Sequence, residues 1–242
     1  MMVGRDPACK LDRLLLDGAL ISVARSFRSH SWHAHVILLQ EQGAFVNLTL
    51  DMGCIADLEE ENTAAPYLRS LIRLHERQVL TLRVVAIGAS ERHPDGMFAA
   101  DFAEFAERLA CLGLNGVEIL EPVFRFGLTF DGWSLWPDAE LEQLEQRIHQ
   151  ALFPRIDFLW GQFLRRRGGD TARDVLHARW RQARCDVLTM WAHLRYGGDI
   201  FVTRNEVYWQ RDRRERLIRM GAGDVLTPQG ALTRFGDHLY SL

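Results

Sequence analysis

From Ala44 onward, short leucine- and valine-rich runs alternate with segments of helical periodicity, and nothing else in the chain narrows its fold as much. The runs "AFVNLTLD", "LTLRVVAIGAS", "VEILEP", "DIFVT" and "GDVL" read as strands. Between them, "AAPYLRSLIRLHERQ" sets Leu68, Leu71, Ile72 and Leu74 or His75 on one helical stripe behind Pro66. "DFAEFAERLACLGL" does the same with Phe102, Phe105, Ala106, Leu109 and Leu112, and Gly113 is a natural stop. Further helices are expected in "DAELEQLEQRIHQALF", in "TARDVLHARWRQARCDVLTMWAHLRYGG" and in "RRERLIRMG". A last one should start at Thr227 and Pro228, a capping hydroxyl followed by a residue that suits a first turn. Strands alternating with helices predict a parallel sheet with helices on both faces. The aromatic stretch "FRFGLTFDGWSLW" fits neither period.

Residues 1–43 have a different texture, β-rich runs around "RSHSW", and are expected to form an N-terminal extension to a domain over 44–242. No apolar run approaches the ~18 uncharged residues that would span a bilayer. The charged N-terminus lacks a signal-peptide core, so a cytoplasmic protein without a membrane partner is expected. Cys9, Cys54, Cys111 and Cys185 form no CxxC pair and read as small buried thiols.

Net charge is only −3, but its distribution is uneven. Arg165–Arg184 holds seven arginines against two acids, Arg204–Arg219 six against three, and Asp51–Glu61 five acids and no base. Such blocks suit a carboxylate-lined site beside a basic rim, and equally suit solvated helix faces. His33 and His35 share a strand face beside His30, and Trp133, Trp136, Trp160, Trp180 and Trp191 could stack bases; filling half-exposed strands and cores is the ordinary role of both sets.

Asp51, Glu91 and Asn205 each close a strand, and ligands of open parallel sheets gather beyond the strands' carboxyl ends. Asp186 lies among apolar neighbours on a helix and reaches the same edge if that helix begins near Arg179. Hard oxygen donors grouped in this way bind Mg²⁺ or Mn²⁺. Asp51 as a helix cap and Asn205 as a turn residue are the structural alternatives.

At these positions the chain resembles the PIN-domain family of metal-dependent ribonucleases. "LTLDMGCIADLEE" is similar to its opening strand and turn, "VVAIGASE" to its second strand, "RCDVLTMWAHLRYGGDIFVTRNEVYW" to its later acid and Thr-x-Asp strand end, and "GDVLTPQGAL" to its last strand and helix. The resemblance implies a three-layer α/β/α sandwich around a parallel sheet, with an unusual insertion around 122–169. It implies RNA phosphodiester hydrolysis with Mg²⁺ or Mn²⁺ held by Asp51, Glu91, Asp186 and Asn205. Thr203 is then expected to support that edge by hydrogen bonding, and Arg179, Arg184 and Arg204 to contact phosphate. Met52, Gly53 and Asn205 depart from the family's Thr-Asn and fourth Asp. Those departures open a second reading, a degenerate PIN-like module that binds RNA or a protein partner without cleavage. A toxin held by an antitoxin-like partner, and a homo-oligomer, are further options on which the residues are silent.

Overall fold

The computed structural model describes residues 45–90, 102–167 and 178–236, all within the unit Ala44–Leu242. The extension over 1–43, the three histidines, Glu91, and the Gly168–Arg173 part of the basic block lie outside the described residues.

Five parallel strands form one sheet: β1 (Val46–Leu50), β2 (Leu80–Val85), β3 (Glu118–Leu120), β4 (Ile200–Val202) and β5 (Asp224–Leu226), in the order β3-β2-β1-β4-β5. Eight α-helices accompany it among the described residues: α1 (Met52–Glu59), α2 (Ala65–Glu76), α3 (Phe102–Cys111), α4 (Ala139–Leu152), α5 (Trp160–Arg167), α6 (Ala178–Arg195), α7 (Arg211–Met220) and α8 (Pro228–Thr233). The fold is α/β, and its layout is compatible with a three-layer sandwich. None of the described helices is long and apolar enough to cross a membrane.

The expected elements appear with shifted ends. "LTLRVVAIGAS" stays extended only to Val85 and then tightens into a 3₁₀ turn over Ala86–Ser90. Pro66 opens α2, and the Thr227 hydroxyl accepts the Gly230 N–H at the start of α8. The alternative of Asp51 as a helix cap holds, since it caps the short helix α1, while α5 has no counterpart among the expected helices. Cys54 and Cys185 are buried as expected, whereas Cys111 is exposed at the end of α3.

Side chains alternate across a strand, so β1 splits into two stripes. Val46, Leu48 and Leu50 are apolar and buried. Asn47, Thr49 and then Asp51 form the other stripe, which faces α6: His193 of α6 takes the Thr49 hydroxyl on Nδ1 at 2.8 Å and donates from Nε2 to the Ala222 carbonyl at 3.0 Å. On α6, Gln182, Asp186, Thr189 and His193 recur at helical spacing on one face. A polar seam therefore runs between sheet and helix, surrounded by apolar packing that includes Phe201, Tyr208, Leu188 and Trp191.

Candidate functional site

The register of β1 against β4 builds the site. Leu50 pairs with Val202, so Asp51 and Thr203 emerge side by side at the carboxyl edge. The Asp51 N–H is fixed by the Val202 carbonyl at 3.0 Å. Its side chain caps α1, with Oδ1 accepting the Met52 N–H at 2.9 Å, and Oδ2 accepts the Thr203 hydroxyl at 2.5 Å. Thr203 Oγ1 in turn accepts the Asn205 N–H at 2.9 Å.

Asp186 arrives from α6, which runs from Ala178 and so meets the condition for reaching this edge. Its Oδ1 accepts from the Gln182 amide at 3.1 Å and its Oδ2 from the Asn205 amide at 3.3 Å. Asn205 Oδ1 meanwhile accepts the Val207 N–H at 3.0 Å, so Asn205 is both a turn residue and a partner of Asp186. The Tyr208 hydroxyl donates to the Asp186 carbonyl at 2.9 Å and ties this turn to the helix.

Both carboxylates are only 3% exposed, and their titration reflects it. Burial raises Asp51 to about 6 against the opposing hydrogen bonds from Thr203 and Met52, with a further push from the charge of Asp57. Burial, and next the charge of Asp51, raise Asp186 to about 7. At neutral pH the pair shares negative charge that burial and proximity both disfavour. A cation between them would relieve it.

Each of the four carboxylate oxygens has one hydrogen-bond donor, leaving lone pairs for a hard cation, and Mg²⁺ is commonly bound through one or two carboxylates while keeping several waters. The donor set fits such an ion. Among the described residues, no three His, Cys, Asp or Glu side chains stand together as a metal-holding group. Glu91, the expected third carboxylate, lies outside them. Ser90, its neighbour in sequence, accepts on its carbonyl from Arg181 of α6 at 3.0 and 2.9 Å.

The three arginines expected to meet phosphate divide. Arg179 is exposed near the start of α6. Arg204 is partly exposed beside the site but ion-pairs with Asp57 Oδ1 at 2.5 Å. Arg184 corrects the expectation: it is 2% exposed, paired with Glu145 of α4 and stacked over the Phe158 ring at 4.2 Å. A guanidinium closed off in that way holds α4 to α6 and is not presented to a phosphate.

Asp57 is a site neighbour that motif reasoning passed over. It is buried on α1, accepts from Asn62 and Arg204, keeps Oδ2 without a partner, and deepens the negative field at Asp51. The only signal was its place in the acidic run after Asp51. Met52 and Gly53, which differ from the PIN-domain pattern, also have structural settings. Met52 packs so closely on Gly88 that a Cβ there would lie 2.2 Å from its sulfur, while a Cβ on exposed Gly53 would make ordinary contact with Asp51 Oδ2 at 3.7 Å. Comparison with family models, curated proteins and solved structures finds no match to the chain.

Proposed function

We propose that the chain is a PIN-like, metal-dependent endoribonuclease, a three-layer α/β/α sandwich whose site is centred on Asp51 and Asp186. The observation that carries this reading is the buried pair of mutually repelling carboxylates at the carboxyl edge of a parallel sheet, where such folds place their ligands. Asp51 and Asp186 would hold Mg²⁺ or Mn²⁺, with Asn205 and Glu91 completing the set. A divalent ion bound there supplies charge to polarise a phosphate and to lower the pKa of an attacking water. The chain's own residues do the positioning. Thr203 and the Met52 N–H fix the two oxygens of Asp51, and the Gln182 and Asn205 amides fix those of Asp186. Asn205 keeps the Asp186 carboxylate turned toward Asp51's edge by donating one proton rather than adding a charge.

The second reading, an RNA- or protein-binding module without cleavage, is favoured by the same Asn205: an amide stands where another carboxylate would strengthen metal binding. Mn²⁺-dependent cleavage of single-stranded RNA, followed on denaturing gels for wild type and Asp186→Asn, separates the two. Cleavage by wild type that is lost in the variant supports the nuclease. RNA bound but left intact by wild type overturns it in favour of the binding module.

A further inference from the structure

Apart from Arg204, which pairs with Asp57 beside the site, the basic block of Arg204–Arg219 is not used by the site, and the fold gives much of it a common destination. α4 runs antiparallel to α6, since Leu141 meets Trp191 while Glu145 and His149 meet Arg184. α7 begins just beyond Tyr208, at the edge carrying Asp186, and ends near Ala222, whose carbonyl reaches His193 at the other end of the seam. α4 and α7 are therefore antiparallel neighbours. Between them lies an open groove of about 330 Å³ lined by Arg147, Gln150, Ala151, Arg216, Arg219 and Met220. It continues along α4 past Gln143 and Gln146.

Charge in this groove is sorted. On α4, Glu142 and Glu145 turn to Arg125 and Glu145 also to Arg184, while Glu140 is exposed in the first turn; the residues that line the groove are arginines, glutamines, Ala151 and Met220. On α7, Glu215 is engaged by Arg211 and Arg219, and Asp212 stands one turn before Arg216. Arg147, Arg155, Arg213 and Arg216 make no hydrogen bond or ion pair among the described residues. Arg155, just beyond α4, lies close enough to Arg213 that, after partial burial, its charge depresses the Arg213 pKa. Cations clustered in this way create a local positive field that attracts an anion. From Arg219 to Arg213 the helix rises about 9 Å toward the site edge, so the cations form a track and not a point.

The geometry points to the α4–α7 groove as a binding track for the phosphate backbone of single-stranded RNA, with Arg147, Arg216 and Arg213 as its contacts, leading to the edge that holds Asp51 and Asp186. This assignment rests on the ribonuclease reading and adds the path of its substrate. α4 lies within 122–169, the segment that the PIN resemblance leaves as an insertion. Guanidiniums suit it because they pair phosphate oxygens in a fork, and the groove glutamines can donate alongside them.

The test is fluorescence anisotropy of a labelled single-stranded RNA with the full chain in EDTA, across a salt series, for wild type, Arg147→Gln/Arg216→Gln and Arg211→Gln. Glutamine keeps helix propensity at these exposed positions. The double variant should bind about tenfold more weakly, with a salt slope lower by roughly one to two, while Arg211→Gln stays close to wild type. Equal affinity and slope for the double variant overturn the track, as does tighter binding of poly-glutamate than of RNA, which would mark a protein-binding face. Asp186→Asn is measured beside them. Groove-dependent RNA binding by a wild type that cleaves nothing sustains the track and removes the nuclease, and Mn²⁺-dependent cleavage untouched in the double variant does the reverse.

Discussion

Thr203 Oγ1 donates a 2.5 Å hydrogen bond to Asp51 Oδ2 across the β1–β4 junction, and the pairing is a consequence of register. Because Leu50 lies opposite Val202, the next residues on each strand share a face, and that face looks toward α6. The bond favours the ionised form of Asp51 against burial. Thr203→Val keeps the shape and removes the donor. Asp51 should then titrate higher, and the pH at which Mn²⁺ binding is half-developed should rise by about one to two units, since a bond to a charged group contributes roughly 1.5–3 kcal/mol. Thr203→Ser should restore the wild-type midpoint. An unshifted midpoint in Thr203→Val would show that the hydroxyl does not govern the carboxylate.

Asp186→Asn tests the repulsion itself. The folded-state value of about 7 lies above the ordinary 3.8, so the folded protein binds more protons than the unfolded chain between those limits. Stability from this group is therefore greatest at low pH and is lost as pH rises toward 7. In EDTA at pH 8, Asp186→Asn should be more stable than wild type, by roughly 1–3 kcal/mol, and the gap should close near pH 4. Mn²⁺ should raise the melting temperature of wild type and leave the variant unmoved. A variant less stable than wild type at pH 8 would mean that Asp186 is a structural ion, not a strained ligand.

His193 has the opposite sign. Burial lowers it from 6.5 to about 4, so the unfolded chain binds the extra proton between those values. Its contribution is intact above pH 6.5 and is lost as pH falls toward 4, by roughly 3 kcal/mol in all. Wild type should show this acid-side loss in chemical denaturation, and His193→Gln should flatten it. The ring leaves no room at Gly198, where a Cβ would lie 2.2 Å from Nδ1. Gly198→Ala should accordingly destabilise the protein by about 1–3 kcal/mol through overpacking. A neutral outcome there would mean the imidazole can move, and with it the Thr49 bond.

What the sequence made legible follows from which forces are local. Alternation in "FVNLTLD" and the apolar helical pattern around Asp186 set the strand and helix periods, and the rule that parallel sheets gather ligands beyond their carboxyl ends points Asp51 and Asp186 to one edge. The same letters hide the seam, because a polar stripe usually faces water, and only tertiary packing turns Thr49 toward His193. Arg184 departs from the expected phosphate contact for a related reason. Its partner Glu145 is far along the chain, inside a segment whose placement against α6 no local pattern encodes. Of α1 only the cap is legible, because Met52–Glu59 is too short to display a period while Asp51 signals a helix start.

Asn205 is where metal affinity can be raised. Its Oδ1 caps the turn through Val207, a role that an aspartate would keep, while its Nδ2 gives Asp186 a proton that an aspartate would withdraw. Asn205→Asp therefore exchanges a hydrogen bond for a third negative charge facing Asp186. In EDTA at pH 8 the variant should be less stable than wild type, because the new charge adds to a pair already displaced upward by burial and repulsion. With Mn²⁺ the order should invert. An added carboxylate ligand should tighten binding by about tenfold, equivalent to ~1.4 kcal/mol, and calorimetric titration reads that change directly. Weaker or unchanged Mn²⁺ affinity would place the ion, if it binds at all, away from Asn205, and would leave Asn205 as a turn residue that happens to touch Asp186.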